Sequence, residues 1–415
     1  MSSCPVVIDR TGQDIHAEGA RIRAQGPVAR IELPGGVPAW SVTDYAIARQ
    51  VMADPRFSRD PRKHWRAYVE GEIGMDFPLI GWVLMQNITT THGEDHNRLR
   101  SLTVKAFSPR RVGMMRASVE RIAGQLLDDL ATVPAGEPVD LKARFARELP
   151  SRVICDLFGI PDHLRDALQK GGDVNVDTTI SAEESAANVA EWHREMLRFI
   201  EAKRNSPDRA DDMTADLLDA QENGSRLTET ELVDTLHLLL ATGTEPVMNL
   251  VTNAVLALLT HPEQLALVKS GEISWRDVIE ETLRAEAPVA HLPFRFPLED
   301  VELGGVTVPK GDPILINYAA VGRDPAVHGD SAADFDVTRA GKDKHLSFGH
   351  GAHRCLGTTL GLLEAEIALS GLFERFPELS LSGTREEIEP QGTFIMNGIR
   401  ALPVRLTAPV PAGAR

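Results

Sequence analysis

The chain has 415 residues, 42% hydrophobic and 25% charged, a balance that fits a globular protein with a large core. Its net charge of −16 argues against general nucleic-acid binding. Met1 to Arg10 holds no apolar run, and the longest apolar stretches break well short of a membrane span, so a cytoplasmic protein without signal peptide or anchor is expected. Cys4, Cys155 and Cys355 are too scattered for a disulfide framework, a zinc site or an iron–sulfur site. No linker-like stretch separates the apolar-periodic segments, so one domain over 1–415 is expected.

In chain order, Val28, Ile31 and Leu33, then Pro34-Gly35-Gly36, then Val37, Trp40 and Val42 read as a hairpin. Helical spacing follows from Asp44 to about Met52. Residues 56–92 are irregular and carry large apolar groups, which suggests a ligand-facing lid; Trp65 and Gln86 are its candidate substrate contacts. His96 and Arg100, four apart, share a helix face, and the plainest reading of that pair is a solvated charged surface. Residues 113–204 read as mostly helical, with Cys155 in an apolar, core-like setting.

Thr228-x-x-Glu231 is a capping box, and Leu227 with Leu232 forms a hydrophobic staple. Apolar residues then run to Thr260, where His261-Pro262 stops the helix. About 32 residues would span roughly 48 Å, enough to cross the molecule. The centre reads Ala241-Thr242-Gly243-Thr244-Glu245-Pro246, and the proline removes an N–H and pushes the Thr242 carbonyl aside, so a bulge is expected there. A helix from Trp275 to about Glu286 places Glu281 and Arg284 on one face, by default a surface ion pair. Val289, Ala290, Leu292 and Arg295 belong to an extended segment that fits a pocket-lining strand. Residues 301–316 alternate and form a small sheet. Phe394 and Ile395 read as a loop tip that enters the pocket or, equally, as core.

The last motif is Phe348-Gly349-His350-Gly351-Ala352-His353-Arg354-Cys355-Leu356-Gly357. A cysteine in a glycine-rich loop just ahead of a helix, here from about Thr358 to Phe373, meets the positive end of the helix dipole. Arg354 and His353 add positive charge, so a thiolate is expected.

Phe-x-x-Gly-x-x-x-Cys-x-Gly resembles the heme-binding loop of the cytochrome P-450 family, and the resemblance spans residues 20 to 405. It implies a mainly α single domain with a small β region, and heme b with Cys355 as the iron's axial thiolate. By the same resemblance Phe348 and Gly357 frame the heme loop, and His96, Arg100, Arg295 and His353 hold the propionates. Glu281 and Arg284 become a structural brace with a later arginine, Arg323 or Arg339. The segment holding Gly243, Thr244 and Glu245 matches the family's oxygen-activation motif. It departs twice: Thr242 replaces a small residue, and Pro246 stands where the family has its proton-delivering threonine.

The subgroup resembles the actinobacterial enzymes of secondary metabolism. The resemblance also implies a monomer acting on a small-molecule natural product, with electrons from a separate ferredoxin and ferredoxin reductase. Arg98, Lys105, Arg110, Arg111, Lys342, Lys344 and Arg354 are candidates for the ferredoxin-facing patch. Family members lacking the threonine often couple aromatic rings, so oxidative coupling of a phenol, indole or cyclic dipeptide is expected. The alternatives are a conventional hydroxylase with substrate-assisted proton delivery and a non-catalytic heme-binding protein.

Overall fold

The computed structural model describes residues 4–107, 109–206, 212–222 and 225–407. Two layers organise the chain: a large helical core, and a six-stranded sheet with its own apolar cluster. The helices that matter for the site are α1 (Gly93–Ala106), α2 (Glu148–Phe158), α3 (Asp162–Asn175), α4 (Ala182–Asn205), α5 (Glu229–Thr260), α6 (Trp275–Ala285) and α7 (Thr358–Arg375).

Helix α5 is the axis. The expected capping box forms at its start: the Thr228 side chain accepts the Glu231 N–H, and Glu231 accepts the Thr228 N–H. The helix is apolar nearly all round beyond Leu238, and most of that length is buried, as a helix without a polar face must be. It packs on α2, α3, α6 and α7. The bulge expected at Pro246 does not appear: α5 stays helical through all 32 residues. The proline costs one N–H bond to the Thr242 carbonyl, and packing against four helices supports the remaining turns.

The sheet runs β1 (Val6–Val7), β2 (Val28–Leu33), β3 (Val37–Val42), β6 (Ile314–Asn317), β5 (His291–Pro297), β4 (Phe57–Ser58) in space. The predicted hairpin is the β2–β3 pair, in register from Val28↔Val42 to Leu33↔Val37. Of the predicted 301–316 sheet, Val301–Leu303 and Val306–Val308 form a separate hairpin, while β6 joins the large sheet between β3 and β5. The irregular 56–92 region contains short helices at Pro61–His64, Arg66–Val69 and Ile80–Leu84. Among the described residues, no helix is long and apolar enough to cross a membrane.

The Glu281–Arg284 pair is not on the surface. Both side chains have zero exposure. Arg284 donates to Glu281 at 2.6 and 2.7 Å and to the carbonyls of Gly322, Ala332 and Asp334. The third member of the brace is Arg339, whose Nε lies 3.5 Å from Glu281 Oε1; Arg323 instead pairs with Glu286. At Gly322 a Cβ would stand 2.0 Å from the Arg284 carbonyl oxygen, so only glycine permits this approach.

Candidate active site: a cavity beside Cys355

The cysteine loop closes on itself. The Cys355 N–H donates to the Phe348 carbonyl at 2.8 Å, and Gly349 and Gly351 adopt φ of 69° and 72°. A Cβ on Gly351 would stand 2.8 Å from the Met52 carbonyl oxygen, so close approach adds to the conformational demand. Gly357 differs: its φ is −81°, open to any residue, and its absent Cβ leaves the space beside the Cys355 sulfur clear.

That sulfur faces a cavity walled by α5, β5 and the cysteine loop. Its surface is open to the cavity, yet the protein around it is dense, and burial pushes the Cys355 thiol up. The Gly357 N–H and the Thr358 hydroxyl oppose this without reversing it. The loop alone therefore does not favour the thiolate that helix dipole and neighbouring charge suggested. A coordinated metal ion does, because it deprotonates the thiol outright.

Beside the cysteine loop the cavity is edged by cations that no carboxylate neutralises among the described residues. Arg295 on β5 is 4% exposed and has no acid partner; burial lowers its guanidinium to about 9. Arg100 on α1 reaches the Arg354 carbonyl at 2.9 Å. His353 lines the same edge, held by the Ile88 carbonyl 3.1 Å from Nδ1. Its ring packs 4.0 Å from that of His96, which is buried and leaves Nε2 without a hydrogen-bond partner. Burial lowers His96 to about 4 and drives His353 lower still.

Arg59 is a member that sequence reasoning missed. It lines the cavity, 4% exposed, and donates to the Thr89 and Pro293 carbonyls at 2.7 and 2.9 Å. Nothing local flags it, since it sits in the irregular stretch after β4. Tyr318 was missed likewise. Buried cations left unpaired are costly. Their convergence fits the two carboxylates of a heme, and the Cys355 sulfur facing the same cavity fits its iron.

The cavity wall brings together only part of the predicted set. Gly243, Pro246, Val289, Leu292, Phe348 and Gly357 line it, with Thr242, Leu238, Leu239, Val247 and Leu250 from α5. Thr244 and Glu245 lie on the other face of α5. The Thr244 hydroxyl donates to the Leu240 carbonyl, and Glu245 accepts from Gln391 at 3.1 Å beside a polar cleft with Lys142, Arg147 and Asp173.

Trp65 is a core residue packed between Phe77, Phe294 and Phe296. Phe394 and Ile395 are also core, 0% and 1% exposed, so the predicted loop tip does not enter the cavity. Ala290 packs on Ile15 and Ala319. The Gln86 N–H donates to Asp234, away from the cavity lining. The side chains of Trp65, Ala290, Phe394 and Ile395 follow the packing of distant partners, and that of Gln86 is exposed.

Of the proposed basic patch, Arg98 pairs with Glu231 and Lys342 with Asp277. The side chains of Lys105, Arg110 and Arg111 lie outside the described residues.

A mainly helical fold with a thiol at one side of a large apolar cavity and unpaired arginines at its edge defines a heme-thiolate protein. The family model of cytochrome P450 matches residues 275–403. The 2-hydroxy-5-methyl-1-naphthoate 7-hydroxylase of Streptomyces carzinostaticus is 50% identical over 412 residues, covering 99% of this chain and 100% of that one. CYP154C4 from Streptomyces sp. W2061 superposes with a TM-score of 0.94 at 41% identity, covering 99% and 100% of the two chains. CYP154A1 from Streptomyces coelicolor A3(2) gives 0.91 at 44%, covering 97% and 100%. The chain belongs to the cytochrome P450 family, and it is a heme b-dependent oxidoreductase of the monooxygenase type.

Proposed function

We propose that this protein hydroxylates a substituted bicyclic aromatic compound or a close natural-product relative, using O2 and electrons from a separate ferredoxin and ferredoxin reductase. The observation that carries this reading is the end-to-end likeness, at 50% identity, to a naphthoate hydroxylase. It displaces the expectation of oxidative coupling as the leading reading.

Heme b, when bound, supplies the activation of O2. Cys355 would ligate its iron, and Arg59, Arg100 and Arg295, with His96 and His353, would hold its propionates by charge-assisted hydrogen bonds. Leu238, Leu239, Val289 and Leu292 form an aliphatic wall that excludes water and orients an aromatic ring. Pro246 offers no hydroxyl, so this chain lacks the side-chain donor expected there. What α5 offers instead is an acceptor: the Thr242 carbonyl has no N–H four residues on, and the Thr242 hydroxyl already donates to the Leu238 carbonyl at 2.7 Å. A substrate hydroxyl, or a water held by that carbonyl, then carries the proton.

The test is turnover of hydroxynaphthoates under ¹⁸O₂ with a surrogate ferredoxin system. One labelled oxygen in the product is expected. An unlabelled, coupled product would refute hydroxylation and favour the coupling reading that Pro246 supports.

A further inference from the structure

Away from the cavity, three metal-ligating side chains meet where α4 crosses the first turns of α5. They are His193 on α4 and Asp234 and His237 on α5, with one ligand atom from each lying within 4.8 Å of the others. Asp234 and His237 are three apart and share a helix face. None of the three lines the cavity beside Cys355. We propose that His193, Asp234 and His237 form a binding site for a divalent transition ion of the zinc class, which clamps α4 to α5 and stiffens the roof of the heme cavity.

The arrangement around the cluster orients the ligands. His237 is buried, and its ring stacks on Trp192 at 3.9 Å and 19°. Its Nε2 lies 3.3 Å from the Trp192 carbonyl, so Nε2 carries the proton and Nδ1 keeps its lone pair. Trp192 is itself fixed through Nε1 to the Leu168 carbonyl at 2.8 Å. Asp234 Oδ2 accepts the Gln86 N–H at 2.8 Å. These are the outer hydrogen bonds that metal ligands require.

Two imidazoles and one carboxylate suit zinc-like ions over magnesium or calcium, which prefer oxygen shells. Bonds of about 2.0–2.1 Å in a tetrahedron put ligand atoms about 3.3 Å apart. The cluster must therefore close by at most about 1.5 Å, through side-chain rotation of the three ligands. The fourth position would be left to water.

The ion would do more than join two helices. Through Gln86, Asp234 is tied to the loop carrying Ile88 and Thr89, both of which line the cavity. Ile88 also holds His353. Occupancy should therefore slow substrate entry without touching the heme edge directly.

The experiment uses heme-loaded full-length protein in a Cys4→Ser background, stripped with chelator, dialysed against ZnCl2 and assayed by mass spectrometry for zinc per heme. One zinc per chain is expected, lost in His193→Ala and in Asp234→Asn but retained in His163→Ala. Zinc should raise the melting temperature of the unaltered site only, and should slow the heme absorbance change on adding a hydroxynaphthoate. No stoichiometric zinc in the parent, or zinc retained in both site variants, would overturn the site. Equal retention of magnesium would overturn the ion class. Zinc binding that leaves the substrate-binding rate unchanged would overturn the clamp.

Discussion

Removing Glu281 tests the brace beneath the cysteine loop. Its carboxylate accepts two bonds from Arg284, one from the Asp336 N–H at 2.7 Å, and faces Arg339. In Glu281→Ala the guanidinium of Arg284 stays charged and buried, with only the carbonyls of Gly322, Ala332 and Asp334 left. Breaking a buried pair in this way costs about 3–5 kcal/mol. Orphaning the Asp336 amide adds about 1–3 kcal/mol. The sum, about 4–8 kcal/mol, is comparable with the whole stability of an ordinary domain. With about 2.1 cal/mol/K of unfolding entropy per residue, a chain of this length should lose about 5–9 °C in melting temperature. The assay is thermal unfolding of the heme-free protein, together with heme loading after expression. Glu281→Leu combined with Arg284→Met should recover part of the loss, because no charge is then stranded. A well-folded, heme-loaded Glu281→Ala that loses only turnover would refute the structural role.

Three further outcomes follow from the same site. Cys355→His should abolish the thiolate-type Soret band of the reduced carbon monoxide complex; retention of that band would remove Cys355 as the iron ligand. Arg295→Met should act with opposite signs in the two forms. Heme affinity should fall by about 10–150-fold, the equivalent of one charged hydrogen bond of about 1.5–3 kcal/mol, while the heme-free protein should melt higher because a buried unpaired cation is gone; calorimetry of both forms decides, and unchanged heme affinity would sink the assignment. Glu364, fully buried beside the cavity with Oε2 unpartnered, has its carboxyl raised well above the usual range by burial. It holds its proton better folded than unfolded, so its stability contribution is complete below about pH 4.3 and is lost as pH rises above that. Glu364→Gln should accordingly match wild type near about pH 4 and melt higher near about pH 8; a pH-independent difference would refute this.

What the sequence by itself determined were the elements whose signals lie within one segment. The capping box at Thr228 and Glu231, the apolar run to Thr260, the hairpin around Gly35 and Gly36, and the glycine-framed Cys355 loop all use contacts a few residues apart. Those contacts depend only on backbone period and local hydrogen bonds, and they formed where expected. The tertiary structure decided which side chains share a space. Glu245 and Thr244 sit one and two residues from Pro246, yet only packing of α3 and the 391–393 segment against α5 reveals that they face away from the cavity. Arg59, in no motif, reaches the cavity beside Cys355 because β4 pairs with β5. Arg339 rather than Arg323 completes the brace because Glu286 already engages Arg323. Trp65, Phe394 and Ile395 fill the core beside the sheet, where segments far apart in sequence bury each other's apolar surface. Such choices are settled by burial and charge pairing between distant segments, and no local spacing encodes them.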